Sequence, residues 1–534
     1  MVETVRADGA QETSVQSSST ALTRRDLLGS AAALGLVAGA PTLARAAAPS
    51  GQLTYGIHVS MAPTWFDPAE TQGIITPFMV LYALHDAVVK PMPGAAAAPC
   101  LAESWKAGTD DKSYEFVLRK DAKFHNGEPV TSIDVKFSFE RYRGAAHDLL
   151  KSKVAAIETP DPQRVVFKLK EAWPDFLTFY SSASGAGWIV PKAYVEKVGD
   201  EGFKQAPIGA GPYKFVSFTP GVELVLEAFE GYWRKTPAVK RLVMKVLPDE
   251  ATRLAALKRG EVDIAYSIRG ELAEELVKTP GLALKPVVLQ APNWIYFPEQ
   301  WDPKSPWSNL KVRQAANLAI DREGMSKALF LGYCKVTNNA VVPYTFEFYW
   351  QPPNAVYDPE KAQKLMAEAG YASGFDAGLL YCDSSYANMA EVVVDNFATI
   401  GIRSKLQPIE RAGFFAGYSS KKYTKGIIQA ASGAFGNAAT RMASFIVKDG
   451  AFSYGSYPDI DELFPVQADE LNHEKRAAVL DKMQQLVDQK AIYAPIWQLG
   501  FLNGVGPRVG ESAFGLIPGF AYTAPFEDLT IKSA

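Results

Sequence analysis

Hydrophobic and polar positions in this chain switch repeatedly between the two-residue period of strands and the 3.6-residue period of helices. The clearest unit lies between Asp358 and Ile409. There Asp358 stands at a helix cap, Pro359 in the first turn, Ala362, Leu365, Met366 and Ala369 along one face, and Gly370 at the end. The run Gly378 to Tyr381 reads as a strand, Asn388 to Ile400 as a helix closed by Gly401, and Ile402 to Leu406 as a second strand. Strand, helix and strand with short links predict a parallel-sheet unit and an α/β fold.

The same periods place other elements. Gln52 to Ile57 and Tyr114 to Arg119 read as strands, and a helix is expected through Leu81 to Asp86. Asn126-Gly127 marks a turn, and Thr131 begins a helix toward Tyr142. Asp249 caps a helix whose Leu254 and Leu257 face inward before Gly260 stops it, and Val262 to Ala265 follows as a strand. The last helix, Glu474 to Gln489, carries Ala477, Leu480, Met483 and Val487 as a core stripe. Pro91 to Pro99, rich in proline and alanine, reads as a connector between domains.

Between Ile208 and Trp233 the pattern is a connector followed by a hairpin. Thr219-Pro220-Gly221 supplies the turn between two alternating runs, and Gly209 and Gly211 are expected to use backbone angles closed to other residues. A dinucleotide fingerprint needs a third glycine and a helix start, and Lys214 stands inside a strand pattern instead.

Composition enlarges the picture. Residues 1–46 read as a twin-arginine export signal: Arg24-Arg25 precede an uncharged, alanine-rich stretch from Leu27 to Ala44, and Ala44-Arg45-Ala46 fits a cleavage site. The stretch is marginal for a membrane span and contains Pro41, so a soluble periplasmic product is expected. Its removal takes away four basic and four acidic side chains and leaves the net charge at -3, which gives no reason to expect a nucleic-acid partner. With 48% hydrophobic and 21% charged residues, the remainder exceeds what one core organises, so two or three domains are expected. Cys100, Cys334 and Cys382 permit at most one disulfide and read as buried thiols.

Several separate runs carry a resemblance. Pro207-Ile208-Gly209-Ala210-Gly211-Pro212-Tyr213, the stretch Leu101 to Tyr142 with Lys123-Phe124-His125-Asn126-Gly127, the block Pro248 to Ala265, and Asn309 to Arg322 resemble the extracytoplasmic solute-binding proteins of ABC importers, family 5, the peptide/nickel type. The resemblance implies a periplasmic-binding-protein type II-like fold of two lobes joined by a hinge, with an additional domain. Domain I is then built from 48–90, 207–290 and 497–534, domain II from 91–206 and domain III from 291–496. It also implies a monomer that closes on a small organic solute, peptide-like by default, and delivers it to membrane permease subunits. A nickel-complex or haem carrier of the same fold is the alternative, and delivery of the signal to a chemoreceptor stays open.

The chemistry in the sequence agrees with binding rather than turnover. The five histidines form no close metal-ligand pair, no Cys-x-x-Cys or G-x-S-x-G is present, and Ser419 to Lys422 matches S-x-x-K without its companion motif. No cofactor or metal is expected, and a periplasmic hydrolase lacks its nucleophile and base. Candidate ligand-binding residues are aromatics at loops and domain crossings: Trp65 and Phe66 after the first strand, Trp294 and Tyr296, Phe435 in a glycine-broken run, and Trp497 at the last crossing. Asn437 and Arg441 join them. Arg441 is suited either to a ligand carboxylate or to a structural ion pair at a helix start. Many relatives carry an aspartate for a peptide's amino group in this region, and Ala430 to Arg441 offers none.

Overall fold

Two long antiparallel strands, Ala283–Tyr296 and Tyr493–Val505, form the spine of the molecule and tie its two halves together. The computed structural model describes residues 48–71, 76–144, 146–181, 185–337, 339–354, 356–433 and 436–532. The export-signal reading and Phe435 fall outside them. On one side of the spine lie Ile264–Ala265, Ser50–Ile57, Val239–Val246, Glu223–Ala228 and Tyr213–Thr219; on the other lie Ile427–Ala431, Phe375–Asp383 and Ile402–Ile409. Ser50–Ile57 runs parallel to both of its neighbours, and Phe375–Asp383 runs parallel to both of its own. Each half therefore has a parallel core with a carboxyl-terminal edge, the edge at which open α/β sheets place ligands.

The predicted 358–409 unit is present as helices Pro359–Glu368 and Ala387–Ala398 with the parallel strands between and after them. Asp358 accepts a hydrogen bond from the Lys361 amide at 2.8 Å, as its capping position requires. The Thr131–Asp134 capping box starts the helix Ser132–Arg141, and Asp249 caps Glu250–Lys258. The alanine-rich stretch departs from expectation. Val89–Met92 and Ala95–Pro99 pair as a small antiparallel hairpin instead of an irregular connector.

A separate antiparallel sheet of Ala102–Ala107, Ser113–Leu118, Arg164–Leu169 and Val154–Asp161 carries its own core around Phe116, Phe139, Phe167 and Tyr180. Each such fully buried aromatic contributes on the order of 1.5–3 kcal/mol by burial. This sheet, its helices and the connector 207–213 form the amino-terminal part of the first lobe.

The glycine pair of that connector has a reason different from the expected one. Neither Gly209 nor Gly211 uses a left-handed conformation. A Cβ at Gly209 would sit 2.0 Å from the Leu84 carbonyl oxygen, and one at Gly211 would sit 2.6 Å from the Leu84 carbonyl carbon. Close backbone approach, not torsion, demands glycine here. His125 braces the segment: its Nδ1 accepts from the Gly209 amide at 3.2 Å and its Nε2 donates to the Gly211 carbonyl at 3.0 Å. Burial pushes this imidazole down to about 3. The aromatic pair that ends the hairpin also finds its purpose, since Tyr232 Oη and Trp233 Nε1 donate to Asp86 at 3.1 and 2.7 Å, beside the buried Asp86–Lys90 pair.

Candidate ligand-binding site

Between the lobes lies a cavity of about 1100 Å³, at the large end of the range for small-molecule sites. Its first wall is the segment Glu171 to Phe179; its second is built from Ser432–Gly433, the helix Ala438–Phe445 and residues 464–476. The second wall follows from topology, since Ser432 stands just past the carboxyl end of the strand Ile427–Ala431 and Arg411 just past that of Ile402–Ile409.

Asn437 makes the turn into the helix. Its side-chain oxygen accepts from the Thr440 amide at 3.3 Å, a capping box that fixes where the first helical turn points. Arg441 lies one turn in. Only 3% exposed, it donates through Nε to the Val341 carbonyl at 2.5 Å and through Nη1 to Ser432 Oγ at 3.4 Å, while Nη2 has no acceptor among the described residues. The guanidinium lies 4.3 Å from the Phe445 ring centroid and 5.7 Å from that of Trp294. Burial pushes its pKa down to about 9, with the phenols of Tyr493 and Tyr418 opposing. Among the described residues it makes no ion pair, and it faces the cavity.

The cavity's other charges are matched, apart from Asp469, which is exposed at its rim. Asp175 on the first wall takes a bidentate pair from Arg476 at 2.6 and 2.7 Å and a third bond from Asn437 Nδ2 at 2.6 Å. Lys153 pairs with Glu171, and Arg411 with Asp383 at 2.7 Å. Between the charges stand two stacked aromatic pairs, Trp173 with Phe179 on the first wall and Phe445 with Phe452 on the second, with centroids 5.4 and 4.9 Å apart.

Of the residues singled out in the sequence, Arg441 lines the cavity and Asn437 joins the two walls through Asp175. The aromatics behave otherwise. Phe66 is sealed against Phe215 and Phe218, and Trp65 packs on the same core. Trp497 is fully buried against Phe330, and Tyr296 stacks on Tyr493 while its hydroxyl accepts from the Tyr454 amide and Trp301 Nε1. Trp294 lies beneath Arg441 and Phe445. These strands cross between the lobes, but their aromatic side chains alternate into the cores on either face of the sheet, so none of them lines the cavity. Asp175 and Arg476 were missed. Arg476 was legible in principle, as a charged residue four positions before Leu480 on a buried stripe.

A family model described as bacterial extracellular solute-binding proteins, family 5 middle, matches residues 96–452, most of the chain, including the cavity's first wall and the helix that carries Arg441. The chain belongs to this family. Its members are the extracytoplasmic solute-binding components of ABC importers. Relatives include the heme-binding protein A of Haemophilus influenzae, 27% identical over 472 residues that cover 78% of this chain and 82% of that protein. The glutathione-binding protein GsiB of Salmonella typhimurium is 30% identical over 321 residues, which cover 58% of this chain and 60% of that protein. Among solved structures, AgaA of A. tumefaciens R10 in complex with agropinic acid superposes with a TM-score of 0.69 at 26% identity, covering 91% of this chain and 99% of the other. The fold is that of the type II periplasmic binding proteins, two lobes on a hinge. No helix among the described residues is long and apolar enough to cross a membrane.

Proposed function

We propose that this family member captures a small organic solute bearing a carboxylate, of about peptide size, in the cavity between its lobes. Arg441 meets the carboxylate, the two stacked aromatic pairs hold the apolar body, and closure presents the loaded protein to the permease. The observation that carries the reading is the unpaired Nη2 of a guanidinium buried at the cavity wall. A buried cation without a partner is costly, and a ligand carboxylate removes that cost by offering two parallel hydrogen bonds. The protein acts as a carrier and not as an enzyme. Among the described residues no histidine or cysteine lines the cavity; Ser432 Oγ accepts from Arg441 and Ser444 Oγ donates to the Thr440 carbonyl, neither paired with a base. We further assign it to the periplasm as a monomer exported through the twin-arginine signal, with the three-domain division 48–90 plus 207–290 plus 497–534, 91–206, and 291–496.

The heme-binding relative gives a second reading, carriage of a haem or metal complex. Among the described residues the cavity's lining holds no histidine, cysteine, methionine or tyrosine, so such a complex would be held through its own acidic groups on Arg441. Mass spectrometry and an absorbance spectrum of whatever co-purifies with the exported protein decide between them. A colourless carboxylate supports the first reading, a Soret band the second, and a neutral or purely cationic solute contradicts both. Export itself is tested by Arg24→Lys with Arg25→Lys, which should hold the precursor in the cytoplasm; processed protein outside the membrane would defeat the signal assignment.

A further inference from the structure

The cavity has one cation to spare and no buried anion to match it. Asp175, the one carboxylate buried in its wall, has both oxygens taken by Arg476 and a third bond from Asn437. Glu171 is occupied by Lys153, and Asp469 stands exposed at the rim. Residues 434 and 435, which follow Gly433 in the chain, carry no charge in the sequence. Arg476 is itself fixed from behind by the Gln467 carbonyl and side chain at 3.0–3.1 Å, so the chain's own guanidinium occupies the place where a ligand ammonium would find its counter-ion.

We infer that the cavity discriminates against a free amino group: its solutes are carboxylates whose nitrogen is acylated, substituted or absent, and Arg476 with Asn437 sets this preference by occupying Asp175. The inference rests on the reading above that Arg441 receives the carboxylate. An ammonium enclosed against the wall would lose its water, find no unpaired buried carboxylate among the described residues, with only Asp469 out at the solvated rim, and share the space with Arg441, which raises its cost further. An amide nitrogen carries no such penalty, and the aromatic pairs that line the remaining wall suit an uncharged body.

Calorimetry with a matched pair of probes, Phe-Leu and N-acetyl-Phe-Leu, tests it. The acetylated form should bind the wild-type protein at least about tenfold more tightly, the scale of an uncompensated charge in a partly enclosed site. Arg476→Met releases Asp175 and should shrink or reverse that ratio, whereas Arg476→Lys should keep it. Should Arg476→Met fail to fold, Asn437→Asp, which retains a capping side chain and adds a carboxylate, must move the ratio in the same direction. Equal or tighter wild-type binding of the free amine overturns the inference and leaves the carboxylate reading standing. A ratio that neither variant moves overturns the role given to Asp175 and its partners. If neither probe binds, the peptide-sized carboxylate reading fails and this inference falls with it.

Discussion

Arg313 and Arg441 sit in the same half of the molecule, are 2% and 3% exposed, and meet no carboxylate. Their surroundings differ in what the guanidinium is given. Arg313 donates to the carbonyls of Ala491, Trp307, Ser308 and Lys490 and to Tyr457 Oη, so every nitrogen is used. Arg253 and Arg322 are satisfied in the same manner, by carbonyls and, for Arg322, the Asn317 side chain. Arg441 has one carbonyl, one distant hydroxyl, an unused nitrogen and a cavity in front of it. A buried cation whose donors are filled by loops is a clamp on those loops. One left short of acceptors beside a cavity is, on the reading proposed above, where an acceptor from outside binds.

The sharpest way to break this contrast is at the clamp. Arg313→Met orphans four carbonyls at the junction of 307–308 with 490–491, and urea unfolding should show a loss of about 3–5 kcal/mol, the range for dismantling a buried charged network. A loss below about 1 kcal/mol would mean that carbonyl satisfaction does not distinguish the two arginines.

A second test extends the contrast to bases buried in their neutral form. His85 is fully buried with its pKa pushed down to about 4, and His125, which needs a bare Nδ1 to accept from Gly209, is pushed down to about 3. Between the ordinary value of about 6.5 and these folded values the unfolded chain binds more protons, so stability rises with pH in that window. It should be complete above about 6.5 and fall as the pH drops toward 4, by on the order of 3 kcal/mol for each of the two histidines. Melting temperatures measured across this range check the slope. His125→Gln, which can still accept from Gly209, should flatten it, and an unchanged slope would remove His125 from the account.

The smallest expected effect belongs to the empty form of the site variant. Arg441→Met removes a buried charge that the fold does not satisfy, so unfolding of the ligand-free protein should change by no more than about 1 kcal/mol, with stabilisation the expected sign. A loss like that of Arg313→Met would make Arg441 a clamp as well.

What could be read from the sequence follows the same division. Elements with strong periods and caps, such as 358–409 and the Thr131 and Asp249 helix starts, were legible because local signals and burial agree there. The connector Gly209–Gly211 was legible as special, but its reason lay in Leu84, far away in sequence. Arg441 and Asn437 were legible as polar positions beside a glycine-broken run, although the sequence alone left a ligand role and a structural role, such as the cap Asn437 makes, both open. The aromatics Phe66, Tyr296 and Trp497 lie in the cores rather than on the cavity, because a domain crossing is also where two cores meet, and sequence does not tell which face of a strand opens on a cavity. Asp175 and Arg476 lie 301 residues apart and are joined only by the packing of the two lobes.

Isothermal calorimetry of the co-purifying solute against wild type and Arg441→Ala tests the central claim most directly. The account predicts a loss of about 2–5 kcal/mol in binding, the range for removing one partner of a buried charged contact, with the empty variant still folded. Retained affinity in a folded variant would contradict it.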